Sequence, residues 1–110
     1  MTRRAAFLVE LWIPGLGHWF LGHRSKAALA YLLVLGVCWA VILAHLSGWL
    51  GFVFVPTVIG IGHTAAAIAA RAAAPTVSAM PRPSLKTCGI AAAAHYALQI
   101  ALLAGAYAVT

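Results

Sequence analysis

The sequence predicts an all-α integral membrane protein, a four-helix bundle of three long transmembrane helices and one short, broken N-terminal helix. Two observations support this prediction. Hydrophobic residues make up 65% of the 110-residue chain and charged residues only 7%, whereas charged residues are about a quarter of an ordinary soluble domain. In addition, residues 27–46, 50–70 and 88–109 are apolar runs, each long enough to cross about 30 Å of hydrocarbon as a helix. Residues 1–110 are therefore expected to form a single membrane domain.

The broken helix, residues 5–21, is interrupted near its middle. Only the nine residues 5–13 precede Pro14, which is about 13 Å of helix. The stretch Pro14-Gly15-Leu16-Gly17 then removes one backbone donor and adds two flexible positions. If the segment is re-entrant, all seven Lys and Arg lie on the cytoplasmic side, whereas a spanning segment divides them two against five. The positive-inside rule therefore favours a re-entrant segment, with spanning as the alternative.

The connections between the long helices differ in composition. Ser47-Gly48-Trp49 is uncharged and predicts a tight turn on the outer side. Residues 71–87 contain three prolines and three basic residues, and they predict an extended, solvated loop on the cytoplasmic side.

Small residues at four-residue spacing predict where the helices touch, because helices in lipid associate through close packing. The same seams could hold one copy of the chain against another. We therefore expect membrane lipids and either a homo-oligomer or a larger membrane complex as partners. The basic residues form small clusters between apolar runs, so no nucleic acid is expected. The seam residues are Gly36, Ala40 and Ala44, then Gly62 and Ala66, and then Gly89, Ala93, Ala97 and Gly105.

Carboxylate chemistry has little support, because Glu10 is the only acidic residue in the chain. Acid–base and hydrolytic mechanisms mostly need positioned carboxylates or an oriented Ser-His pair, so we expect no enzymatic activity. Glu10 lies in a short apolar helix and is expected to pair with Arg3, Arg4 or Arg24. A proton-carrying carboxylate is the alternative.

Two histidines are candidates for cofactor binding. His63 lies seven residues before Ala70, and His95 lies seven residues after Cys88, so antiparallel helices would bring both imidazoles to the same depth. Such a pair can ligate haem, a pigment or a metal ion, although hydrogen bonding between helices is the simpler role. Tight glycine seams argue against haem, because a porphyrin needs the helices held apart. His18 and His23 are expected to contact lipid headgroups.

The run "PGLGHWFLGHRSKAALAYLLVLG", residues 14–36, resembles the signature of the two-transmembrane "TM-two" domain family of small bacterial membrane proteins. That signature has a glycine-rich break, a His-aromatic-Leu-Gly element, a polar turn and a long apolar helix. Trp19 stands where the family commonly has a basic residue. The resemblance implies a helical module of the bacterial inner membrane and no particular reaction. The matching residues are Pro14, Gly15, Gly17, His18, Phe20, Leu21 and Gly22.

These observations favour a non-enzymatic membrane protein that works as an oligomer or as an accessory subunit of a larger complex. Two alternatives stay open. One is a haem, pigment or metal-binding redox subunit that uses His63 and His95. The other is an oligomeric channel or proton-coupled carrier, suggested by Glu10 and the intramembrane histidines.

Overall fold

The computed structural model describes residues 2–74 and 84–109, and all regular secondary structure in these ranges is helical. Three helices are long and apolar enough to cross a membrane, as the sequence predicts. The broken segment forms two separate helices, so the described residues contain five helices rather than the expected four. Residues 75–83 of the predicted loop lie outside the described residues. The helices are α1 (Arg3–Trp12), α2 (Leu16–Phe20), α3 (Arg24–Leu46), α4 (Phe54–Ala73) and α5 (Leu85–Val109).

All four predicted helix starts differ from the observed ones: α1 begins at Arg3 rather than residue 5 and α3 at Arg24 rather than residue 27. Local chemistry explains the starts of α4 and α5. α4 begins at Phe54, not at residue 50, which places Pro56 in the first turn, where a missing N–H costs no helical hydrogen bond. α5 begins at Leu85, before the predicted residue 88, because Ser84 caps it. The Ser84 Oγ accepts the Thr87 N–H at 3.0 Å and donates to the Thr87 Oγ1 at 2.8 Å.

Glycines in the left-handed conformation end α2 and α3. Gly22 has φ +82° and Gly48 has φ +80°, and each is followed by a backbone N–H that reaches back into the helix. His23 N donates to the His18 carbonyl at 2.9 Å, and Trp49 N donates to the Ala44 carbonyl at 2.8 Å. Both are Schellman motifs, which need a residue without a Cβ at this position. The tight turn predicted at residues 47–49 is present at the end of α3.

The three long helices share one basic end, at which α3 and α5 begin and α4 ends. α4 runs antiparallel to α3, and a Cβ on Gly62 would lie 3.3 Å from Val34. α5 runs parallel to α3, because Tyr31 bonds to His95 and Trp39 bonds to Gln99 further along both helices. The described cations of the long helices lie in terminal turns at this basic end. They are Arg24, Lys26, Arg71 and Lys86.

Three side-chain hydrogen bonds join α5 to the other described helices. Its hydrogen bonds are Tyr31 Oη to His95 Nδ1 at 2.8 Å, Trp39 Nε1 to Gln99 Oε1 at 2.8 Å and Trp12 Nε1 to Tyr96 Oη at 3.2 Å. Ala106 is its only buried residue. α5 therefore turns most of its surface away from the rest of the chain.

The predicted seams are buried only in part. In α4, Ala66 is buried and Gly62 is half-buried against α3. A Cβ on Gly36, Gly89 or Gly105 would meet no atom within 4 Å among the residues that the structure describes. A packing role for the exposed positions stays a prediction, and it would require another molecule. Gly36, Ala40, Gly89, Ala93, Ala97 and Gly105 are exposed, and Ala44 is half-buried.

Candidate functional site

α1 and α2 form a helical hairpin, residues 3–21, whose two ends lie together at the basic end of the bundle. Ala6 near the start of α1 and Leu21 at the end of α2 belong to one buried cluster with Ala74, which follows α4. The Arg3 Nε donates to the Ala74 carbonyl at 3.3 Å. The chain therefore enters the bundle and returns to the end from which it came.

The tip of the hairpin lies against the inside of α3. Gly15 occupies this tip with φ +90°, and an added Cβ would overlap the Ala27 carbonyl oxygen and lie 3.2 Å from the Tyr31 Cβ. Tyr31 is seven residues from the start of α3, which is about 10 Å along a helix. The tip therefore reaches only part of the length of the long helices.

Glu10 lies in the centre of the hairpin and is completely buried, with 0% of its surface exposed. Its Oε1 accepts the Gly15 N–H at 2.6 Å, and its Oε2 accepts the His18 N–H at 3.2 Å. The His18 Nδ1 lies 2.9 Å from Oε1. This contact is a third hydrogen bond at the same carboxyl group. The carboxylate thus holds the first turn of α2 against α1.

Gly17 makes room for this carboxylate. A Cβ at this position would lie 2.7 Å from the Ala6 carbonyl oxygen and 2.9 Å from the Glu10 Oε2. The sequence predicts only backbone flexibility for the two glycines of this stretch. Gly15 confirms this expectation, because its backbone adopts the left-handed conformation. Gly17 is needed for a different reason, since α1 and α2 approach each other closely there.

The partner expected for Glu10 was wrong. Arg3 bonds to the backbone after α4, and the Arg24 guanidinium lies 4.0 Å from the centre of the Trp19 ring. The acid pairs with His18, which is only 5% exposed, so headgroup contact by His18 was wrong as well. A buried acid needs a hydrogen-bonding partner. His18 becomes that partner only because the chain folds back and brings residues 10 and 18 together.

His63 and His95 line one cavity of about 170 Å³ between α3, α4 and α5. His95 Nδ1 bonds to the Tyr31 hydroxyl, and His63 Nδ1 bonds to the Ile59 carbonyl in its own helix at 2.8 Å. The cavity is smaller than the roughly 300 to 1,000 Å³ of typical ligand pockets. Over residues 2–74 and 84–109, no three His, Cys, Asp or Glu side chains are grouped to hold a metal ion.

Most motif residues thus lie at one turn of the hairpin. His63 and His95 line one cavity, but each bonds to a different residue. Gly15, Gly17 and His18 lie against Glu10, Pro14 precedes Gly15 in the same turn, and Gly22 ends α2. The network fixes the shape of the hairpin. Its carboxylate is enclosed and hydrogen-bonded to the backbone of the turn.

The chain matches no protein-family model, no curated protein and no solved structure. The resemblance of residues 14–36 to the TM-two signature stays a prediction.

Proposed function

We propose that this protein is a non-enzymatic integral membrane protein of the cytoplasmic membrane that works by assembling, as a homo-oligomer or as an accessory subunit of a larger complex. The main support is α5. Three side-chain hydrogen bonds attach it to the other helices, while its small-residue seam is exposed. Close packing through small residues is the main attraction between helices in lipid. The seam of α5 is therefore available to a neighbouring helix.

The proposed membrane arrangement follows from the hairpin. With the basic end on the cytoplasmic side, α3, α4 and α5 cross the membrane and the α1–α2 hairpin is re-entrant. The described Lys and Arg then share the anionic leaflet, which attracts each by about 1 kcal/mol. The turn at Gly48 faces outside.

Crosslinking and native mass spectrometry in mild detergent test the proposal. We expect an oligomer or a stoichiometric co-purifying subunit. Ala97→Leu places a bulky group on the seam and should weaken the assembly. Leu103→Phe enlarges an exposed side chain on a different side of α5 from Ala97 and should not. A strict monomer with no co-purifying protein would refute the proposal.

The two alternatives have weaker support. A redox role would need a cofactor between His63 and His95, where the cavity measures about 170 Å³. A proton-coupled carrier would need Glu10 to gain and lose protons, yet its oxygens accept two backbone N–H groups inside the hairpin. Neither alternative uses the exposed face of α5.

A further inference from the structure

A second, larger cavity of about 540 Å³ lies between the hairpin, α3 and α5. Its volume is within the range of about 300 to 1,000 Å³ that is typical of ligand-binding pockets. The wall is almost entirely apolar, and small side chains on α3 and α5 leave it smooth. Representative lining residues are Ile13, Leu16, Ala27, Ala28, Ile90 and Ala94.

The two ends of this cavity differ in chemistry. Arg24 and Thr87 line it in the first turns of α3 and α5, at the basic end. Tyr31, His95 and Leu98 line it deeper, where the Tyr31 hydroxyl and the His95 Nδ1 bond to each other. One end of the cavity therefore carries a positive charge. The rest of its wall is apolar apart from Tyr31 and His95, whose polar groups bond to each other.

The length of the cavity matches one leaflet. From Thr87 to Leu98 is eleven residues of α5, about 16 Å along a helix. Half of a hydrocarbon core of about 30 Å is about 15 Å. A chain that enters beside Arg24 would therefore reach the middle of the bilayer.

No carboxylate among residues 2–74 and 84–109 pairs with Arg24. The only acidic side chain in the sequence, Glu10, is enclosed with His18. The Arg24 guanidinium instead lies over the Trp19 ring, 4.0 Å from its centre, which holds the charge at the cavity mouth. An anionic group bound in the cavity would therefore meet a positive charge that no described carboxylate neutralises.

We propose that this cavity binds one anionic phospholipid, with an acyl chain along the apolar wall and the phosphate beside Arg24. An anionic lipid supplies both the missing negative charge and an unbranched apolar chain of the right length. The inference rests on the membrane insertion proposed above. If the protein is not inserted in the membrane, alkaline carbonate will release it from membranes. This result is distinct from a loss of lipid binding by an inserted protein.

Native mass spectrometry with phosphatidylglycerol and phosphatidylcholine of the same chain length tests the site. The wild-type protein should retain one phosphatidylglycerol in preference to phosphatidylcholine. Arg24→Gln should weaken this binding about fivefold, the equivalent of about 1 kcal/mol. Lys26→Gln removes the same charge from an exposed residue two positions away that does not line the cavity, and it should leave binding unchanged.

A second pair of variants tests the cavity itself. Ala94→Trp fills it and should abolish retention of the lipid. Leu103→Trp adds a bulky ring at an exposed position of α5 outside both the cavity and the seam and should not. Equal retention of the two lipids by the wild type, or equal weakening by Arg24→Gln and Lys26→Gln, would overturn the proposal. So would an Ala94→Trp variant that keeps the lipid, since the lipid would then bind outside the cavity.

Discussion

The Glu10 carboxylate lies 2.9 Å from the His18 imidazole, and this pair closes the α1–α2 hairpin from the inside. The two residues are eight positions apart, too far to meet within one helix. They meet because the chain reverses at Pro14 and Gly15. A buried acid would be costly alone, but here the turn that reverses the chain also supplies its donors.

Glu10→Gln should destabilise the protein by about 1 to 3 kcal/mol, because the amide NH₂ that replaces one carboxyl oxygen would face a buried backbone N–H donor. Thermal unfolding in detergent measures the change. A double-mutant cycle with His18→Asn should give a coupling energy of about 1 to 3 kcal/mol between the two residues. Strictly additive effects would contradict the pairing.

Gly17→Ala should destabilise the hairpin by about 1 to 3 kcal/mol, because the new methyl group would overlap the Ala6 carbonyl and the Glu10 carboxylate. Gly60→Ala is the matched control. A Cβ at Gly60 meets no described atom within 4 Å, and alanine forms helix better than glycine. The control should therefore leave the unfolding temperature unchanged or raise it. The same response from both variants would argue against close approach at Gly17.

Tyr31→Phe should lower the free energy of unfolding by about 0.6 kcal/mol, the typical value of a hydrogen bond between helices in a membrane. The variant removes the bond to His95 that ties α3 to α5. Tyr107→Phe makes the same change at an exposed tyrosine of α5 and should have no effect. Unfolding in mixed micelles compares the two variants. Indistinguishable stabilities would show that the Tyr31 bond does not hold α5.

The purified protein should be colourless and contain no stoichiometric metal, because the cavity of about 170 Å³ is small for a haem and no three His, Cys, Asp or Glu side chains of residues 2–74 and 84–109 are grouped to hold a metal ion. An absorption spectrum and elemental analysis check this. A visible absorption band that disappears in both His63→Ala and His95→Ala would support the redox alternative instead.

The sequence predicted the three long helices and the break in the first segment, because length, hydropathy and proline act locally. It also contained local signals that the predicted helix bounds did not use. Pro56 in the first turn of α4 and Ser84 before α5 mark where the helices begin. Each of these signals can be recognised from a few neighbouring residues in the sequence.

The Glu10 network could not be predicted in the same way. It depends on the direction in which α2 leaves the turn, and that direction is set by Gly15, by the room at Gly17 and by packing of Leu21 on Ala74. Arginines were the obvious partners by charge alone. Geometry selected a histidine because its ring lies inside the hairpin, whereas Arg3 and Arg24 lie at its ends and are exposed.

The re-entrant hairpin is tested most directly by cysteine labelling in intact cells. The protein should carry Thr2→Cys, Ser25→Cys or, as a control on the opposite side, Trp49→Cys, each in a background of Cys38→Ala and Cys88→Ala. An impermeant thiol reagent applied from outside should label position 49 and neither position 2 nor position 25. Both should become reactive together once the cells are permeabilised. Labelling of one of positions 2 and 25 from outside, with protection of the other, would show that residues 5–21 span the membrane and would contradict the hairpin.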